Sequence, residues 1–374
     1  MRILLLGDYS NVHNTLAKGL RQLGHEAVVA SDGDGWKNYP RDIDMRRPSL
    51  RPLDSVAYMV RVLRQFRHFR GFDVVQLINP VFMPLRAEKL PPFYRYLRKH
   101  NRHIVMGAFG MDHYYIKACL DFQTFRYSDF NMGGAERHSA ENDQFKTDWL
   151  TGPKGRLNKL VAADADAIVA GLYEYHASYQ AHCPWAADKL HYIPFPIVPS
   201  DNAVCRIASQ SDAAEPLKMF IGIQRSRISY KGTDIMLRAV RRVAARYPED
   251  CVLQVAENVP FAQYVRLLDE SDVQLDQLYS YTPAMNSLEA MARGMIVVGG
   301  GEPENYAILN EDELRPIVNV EPNEESVYNA LCSLVEHRAD RVPRLQRQSV
   351  EYIARHHDYL KVARRYEQLY KSLD

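Results

Sequence analysis

Short apolar runs alternate with helical periodicities along most of the chain. Residues 3–6 (Ile-Leu-Leu-Leu) are continuously apolar, the pattern of a strand buried on both faces. Residues 13–23 follow, with Leu16, Leu20 and Leu23 on one helical face and Gly24 closing it. Residues 27–30, 73–78, 104–106 and 167–169 predict further strands. Strands alternating with helices predict a parallel sheet covered on both sides. The pattern pauses over 200–216, which is polar and without period and reads as a linker. It then restarts, with strands predicted at 219–223, 252–255, 273–275 and 296–298 and helices at 234–247 and 287–293. Residues 344–373 predict one or two long helices with Ile353, Leu360, Val362, Tyr366, Leu369 and Tyr370 as the apolar stripe. The fold class is therefore α/β, with two doubly wound halves. Open sheets of this kind bind ligands beyond the carboxyl ends of their strands.

Composition adds little to that picture. At 374 residues the chain is long for one core and suits two domains. Apolar residues make up 46% and charged residues 25%, an ordinary globular balance. A formal net charge of +1 points to no polyanionic partner, and no nucleic acid is expected. There is no apolar run of about 18 residues, so no membrane-spanning helix is expected. The N-terminus reads as a first strand rather than a secretion signal. Cys119, Cys183, Cys205, Cys251 and Cys332 are scattered and never form a C-x-x-C pair, which fits a reducing, cytoplasmic location.

Candidate chemistry concentrates in the second half. The strand at 219–223 runs into Gln224-Arg225-Ser226-Arg227 and then Tyr230-Lys231-Gly232-Thr233. Two cations at a strand end beside a helix start suit a diphosphate, because the helix adds free N–H groups and its positive dipole end. Downstream, Pro283-Ala284-Met285-Asn286-Ser287-Leu288-Glu289-Ala290-Met291-Ala292-Arg293-Gly294 precedes the strand at 296–298. Asn286 or Ser287 is expected to cap this helix. Glu289 is expected in its first turn, where a carboxylate can accept both ribose hydroxyls.

These segments resemble the donor-binding signature of retaining GT-B glycosyltransferases of the glycogen-synthase and sucrose-synthase-like group. The matching residues are Gly222, Arg225, Lys231-Gly232, Leu288 to Ala292 with Gly294, and Gly299-Gly300-Gly301 with Glu302 and Glu304. More weakly, 73–80, 163–170 and 189–197 resemble strands of the same family. The resemblance implies two Rossmann-like domains facing across a cleft. Residues 1–199 would form the acceptor domain, 200–216 the linker and 217–352 the donor domain. Residues 353–374 would be a C-terminal helix packing back on the N-terminal domain. It implies sugar transfer from a nucleotide-sugar donor to a glycan or lipid-linked acceptor, with retention and without metal or other cofactor. Arg225 and Lys231 would bind the donor diphosphate, and Glu289, Ser287 and Asn286 the ribose and sugar. One departure stands out. Where the family carries a first glutamate, seven intervening residues before Glu289, this chain has Tyr281, which is expected to offer a hydroxyl to the sugar instead. The stretch 255–273 is also shorter than in relatives, and the base is not named.

In the first half the strand at 104–106 leads to Asp112 and His113, expected as the catalytic pair; helix capping by Asp112 is the competing reading. Gly7-Asp8-Tyr9-Ser10-Asn11 is not a dinucleotide fingerprint. The D-x-D strings at 32–34, 42–44 and 164–166 are expected to be structural rather than metal-binding. Arg61, Arg64, Arg67 and Arg70 on an amphipathic stretch offer a surface to an anionic membrane face, and a solvated helix whose apolar side faces its own core is the competing reading. Two alternatives stay open: a nucleotide-sugar epimerase, and a GT-B protein that binds donor without turnover.

Overall fold

The computed structural model describes all residues except 50, 201–202 and 204–214, so most of the expected linker lies outside the described residues. The chain forms two compact units. The first comprises Met1–Thr124, Asp143–Pro196 and Tyr359–Asp374; the second comprises Phe125–Asn142 and Ile197–Asp358. Residues 125–142 thus group with the second unit although they lie within the first half of the sequence.

In the first unit, strands β1 (Arg2–Leu6), β2 (Glu26–Ser31), β3 (Ile43–Asp44), β4 (Val74–Leu77) and β5 (His103–Ala108) precede residues 125–142. That segment holds a two-residue hairpin, β6 (Asn131–Met132) and β7 (Ala135–Glu136). Strands β8 (Ala167–Ala170) and β9 (Leu190–Tyr192) complete the first sheet, in the order β3-β2-β1-β4-β5-β8-β9 with every pair parallel. Ile3, Leu4, Leu5 and Leu6 are fully buried, as a strand covered on both faces requires. The helix Val12–Gln22 packs against the C-terminal helix Tyr359–Ser372. The approach is close: a Cβ at Gly19 would lie 2.7 Å from the Tyr359 carbonyl oxygen. Tyr370 also donates 2.6 Å to the Gln76 side chain inside the core. The last helix therefore belongs to the first unit, the placement expected from the resemblance, although it begins at Tyr359 after a π-helical turn, Ile353–His357.

The second unit contains β10 (Leu217–Ile223), β11 (Cys251–Glu257), β12 (Val273–Leu275), β13 (Ile296–Gly299) and β14 (Val318–Asn319), ordered β11-β10-β12-β13-β14 and all parallel. The helix Phe261–Asp269 joins β11 to β12, and β11 lies at one end of the strand order as an edge strand, with Val252 and Val255 exposed. In each sheet the order reverses beside the first strand, between β1 and β4 and between β10 and β12. Those two reversals are where ligand sites of doubly wound sheets form.

Candidate functional site

At the β10/β12 reversal the chain places Lys231, Thr233, Asp276 and Ser287. Lys231 ends a short helix, Ile228–Lys231, and Gly232 turns the chain with φ 69°. A side chain at Gly232 would collide with Leu278 and Tyr279, so glycine is required both for the turn and for the approach of that loop. The long helix Thr233–Arg246 starts there with no side-chain cap. The Thr233 hydroxyl is buried and has no hydrogen-bond partner among the described residues. Lys231 Nζ lies 3.5 Å from Asp276 Oδ1 at the end of β12, and Ser287 Oγ donates 2.8 Å to Asp276 Oδ2. A cation, an uncapped helix start and an unpartnered hydroxyl together form a place for an anion.

The other expected donor residues are arranged differently. Arg225 is exposed and pairs with Glu257 at the end of β11. The helix after the second loop is Met285–Ala292, with Ala284 at its N-cap and no side-chain cap. Asn286 and Ser287 therefore lie inside the helix and do not cap it; the Ser287 hydroxyl is drawn to Asp276 instead. Glu289 falls in the second turn, not the first, with one carboxylate oxygen 3.9 Å from Arg293. The run Gly299-Gly300-Gly301 serves close packing: a Cβ at Gly300 would sit 2.0 Å from the Ser280 carbonyl oxygen.

Tyr281 is 1% exposed. Its hydroxyl accepts the Arg126 backbone N–H at 2.6 Å, and its ring packs on Phe125 and Tyr127. Burial pushes its phenol up to about 12. The expectation that it offers a free hydroxyl to a sugar is corrected by this geometry: the side chain is an internal tie to residues 125–127.

In the first unit Asp112 caps the helix His113–Leu120, accepting the Tyr115 N–H at 2.8 Å. Its second oxygen accepts the Tyr179 hydroxyl at 2.8 Å. Fully buried, its carboxyl is raised to about 6. Capping is what the geometry shows for Asp112. His113 Nδ1 lies 2.9 Å from the Trp149 carbonyl oxygen, which can only accept, so that nitrogen carries the hydrogen. Nε2 is then the acceptor, and burial lowers the ring's affinity for a second proton. Asp8, after β1, accepts the N–H groups of His13 and Asn14, so that helix start already holds an internal carboxylate; burial raises it to about 7. Asp164 and Asp166 bind Tyr94 and Arg98, and Asp42 binds Arg21 and the Val29 N–H.

The helix Pro52–Phe66 buries Tyr58, Val62 and Phe66. Its opposite face leaves Leu53, Val56, Val60 and Leu63 exposed at 84, 64, 43 and 56%. Arg64, Arg67 and Arg70 are exposed beside them. Arg61, expected with these three, instead donates to the Arg46 carbonyl oxygen and lies 5.3 Å over the Tyr58 ring.

Asp276, Thr233, Arg126 and Arg137 were not singled out in the sequence. Asp276 directly follows a strand at the reversal, and that position alone could have marked it; the other three carry no local signal.

No protein-family model and no curated protein sequence matches the chain. Solved structures do. Sucrose-phosphate synthase from Thermosynechococcus elongatus superposes with a TM-score of 0.62 at 12% identity, covering 100% of this chain and 99% of that one. Anabaena HepE in complex with UDP and glucose gives 0.59 at 12% identity, with both chains covered at 100%. UDP-GlcNAc 2-epimerase from Neisseria meningitidis, bound to UDP-GlcNAc, gives 0.54 at 11%, covering 99% of this chain and 100% of that one. The likeness is one of fold: the chain has the GT-B fold, with two Rossmann-like units.

Proposed function

We propose that the protein is a nucleotide-sugar-dependent glycosyltransferase that moves a sugar to a glycan or lipid-linked acceptor, with retention and without a metal. The observation that carries this is the anion place at the β10/β12 reversal: Lys231, the uncapped start of Thr233–Arg246 and the unpartnered Thr233 hydroxyl. Lys231 and Thr233 take the donor diphosphate. Arg225 joins them by exchanging Glu257, an exposed partner whose hold is weak in water. Glu289 accepts the ribose hydroxyls after leaving Arg293, while Ser287 and Asn286 line the same helix. Retention asks little of protein side chains beyond positioning and charge stabilisation. The sugar–phosphate bond breaks, a leaving phosphate oxygen takes the acceptor proton, and the new glycosidic bond forms on the same face. In the first unit His113 Nε2, not Asp112, is the group available to orient a substrate hydroxyl.

The test is incubation with UDP-, GDP- and ADP-sugars in the presence and absence of glycan and lipid-linked acceptors, with products resolved by chromatography. Transfer or donor hydrolysis is expected. A changed sugar on an intact nucleotide would favour the epimerase reading, which the likeness to UDP-GlcNAc 2-epimerase supports. Thermal stabilisation alone would favour binding without turnover. Lys231→Ala should weaken nucleoside-diphosphate affinity about tenfold or more, the scale of a charge-assisted hydrogen bond. Unchanged affinity would remove Lys231 from the site. We also propose that the protein works at an anionic membrane face, on its cytoplasmic side, through the helix Pro52–Phe66.

A further inference from the structure

Residues 125–142 lie across the ligand edge of the second sheet. Three of their side chains reach three different loops there. Arg137 donates 2.8 Å to the Ser229 carbonyl oxygen, in the short helix that ends at Lys231, and its guanidinium lies 3.4 Å over the Tyr279 ring. Tyr127 donates 2.6 Å to Glu302 Oε1, after β13. Arg126 bonds Glu302 Oε2 at 2.7 Å, pairs with Glu304, and lies 4.9 Å over the Tyr281 ring. The segment is itself well fixed. Phe130 and Asn131 are fully buried, and Asn142 binds the Asp129 and Arg137 carbonyl oxygens at 2.9 and 2.8 Å. The loops it touches leave the carboxyl ends of β10, β12 and β13, the strands whose ends define the anion place.

Charge makes this arrangement more than packing. Glu302 and Glu304 follow the glycine run that packs on residues 277–280, the loop whose Leu278 N–H binds the Lys231 carbonyl oxygen at 2.9 Å. Two carboxylates at that edge oppose a diphosphate. Arg126 lies between them and removes one of the two charges from the edge. Burial alone would raise the Glu304 carboxyl. The Arg126 hydrogen bond, a backbone bond and the guanidinium's charge together hold it below the usual carboxylate range. Glu302 is further held by Asn319 at 3.0 Å.

We propose that Arg126 and Arg137 are positioning residues of the donor site: Arg126 cancels the carboxylate charge that would repel the donor diphosphate, and Arg137 pins the loop that carries Lys231. Neither needs to touch the donor. This rests on the anion place being a donor site, and the experiment separates the two ideas. The probe is whichever of ADP, GDP or UDP binds the unaltered protein most tightly by calorimetry. If none binds, the donor-site reading fails before any variant is made.

Given binding, Arg126→Met should weaken it about tenfold, and the loss should shrink as salt is raised, because screening reduces repulsion between charges. Arg126→Lys, which keeps the charge but not the planar fork, should lose less than threefold. Glu304→Gln alone should tighten binding, because the negative charge that Arg126 leaves at the edge is then removed. Arg126→Met with Glu304→Gln should recover most of the loss, since the repelling charge is gone. Arg137→Lys should weaken binding without any dependence on salt. The proposal is overturned if Arg126→Lys is as weak as Arg126→Met, if the double variant does not recover, or if Arg137→Lys binds like the unaltered protein. A merely structural role for Arg126 would give the first two of those results. An Arg126→Met protein that fails to fold leaves the Lys variant and Glu304→Gln to decide.

Discussion

Glu311 shows how one carboxylate can tie a unit together. Its side chain is 1% exposed and accepts the His356 ring N–H at 2.6 Å, Arg355 at 3.1 Å, and the backbone N–H groups of Glu313 and Leu314 at 2.8 Å. Burial alone would raise its carboxyl; these partners together lower it to about 2. A carboxyl depressed in the folded state adds stability that is complete above its unfolded value, near 4.5, and is lost as pH falls towards 2. Glu311→Gln should therefore cost about 3 kcal/mol at pH 7. The gap to the unaltered protein should narrow between pH 4.5 and 3. Urea unfolding at pH 7, 4.5 and 3 checks this, and a gap independent of pH would mean that packing rather than charge holds the site. The sequence could not show this residue's role, because His356 is distant in the chain and the π-helical turn that aims it has no simple sequence signature. The same limit applies at Tyr281. The motif marks the position as one without a carboxylate, but what its hydroxyl meets depends on residues 125–127, which no local pattern brings there.

At the scale of elements, the strands were legible to within about two residues wherever a continuous apolar run coincided with full burial, as at β1, β10, β12 and β13. Helix starts were less so. The helix predicted at 287–293 begins at Met285, because Ser287 finds a better partner in Asp276 than in its own backbone. The helix Pro52–Phe66 was legible as basic and amphipathic, yet its second apolar face was not, since periodicity cannot say which side is covered. Leu53, Val56, Val60 and Leu63 fall at spacings of three and four residues, the pattern of a helix lying on a surface. Flanking arginines favour anionic lipid over a second copy of the same face, where like charges would meet. The protein should float with vesicles containing phosphatidylglycerol, less with phosphatidylcholine alone, and less again in high salt. Leu53→Ser with Leu63→Ser should reduce flotation several-fold while leaving nucleotide binding unchanged. A dimer by sedimentation with no flotation would assign the face to self-association.

At the scale of the molecule, the two halves were legible because a doubly wound pattern occurs twice, and the GT-B likeness agrees with it. The return of the last helix to the first unit was expected from the resemblance, but the excursion of residues 125–142 into the second unit was not legible. Residues 125–142 leave the first unit and rejoin it, and residues 359–374 return to it from the second. The first unit is thus built from three stretches of chain. Ending the chain at Asp358 would strip the cover from Gly19, remove the Tyr370 partner of Gln76, and break the His25–Glu367 contact at 3.0 Å. Hydrogen exchange on that truncated chain should show β1 and β4 losing protection while β10, β12 and β13 keep theirs.

That interleaving also bears on how the protein is made. A ribosome releases the first half of this chain well before the helix Tyr359–Ser372 exists. Until that helix is made, the Gly19 side of Val12–Gln22 lacks the helix it packs against, and residues 125–142 await a sheet whose strands have not yet emerged. The usual order, in which an N-terminal domain folds completely and then waits for the next, is closed to this protein. Its first unit begins to be synthesised before the second and is completed after it.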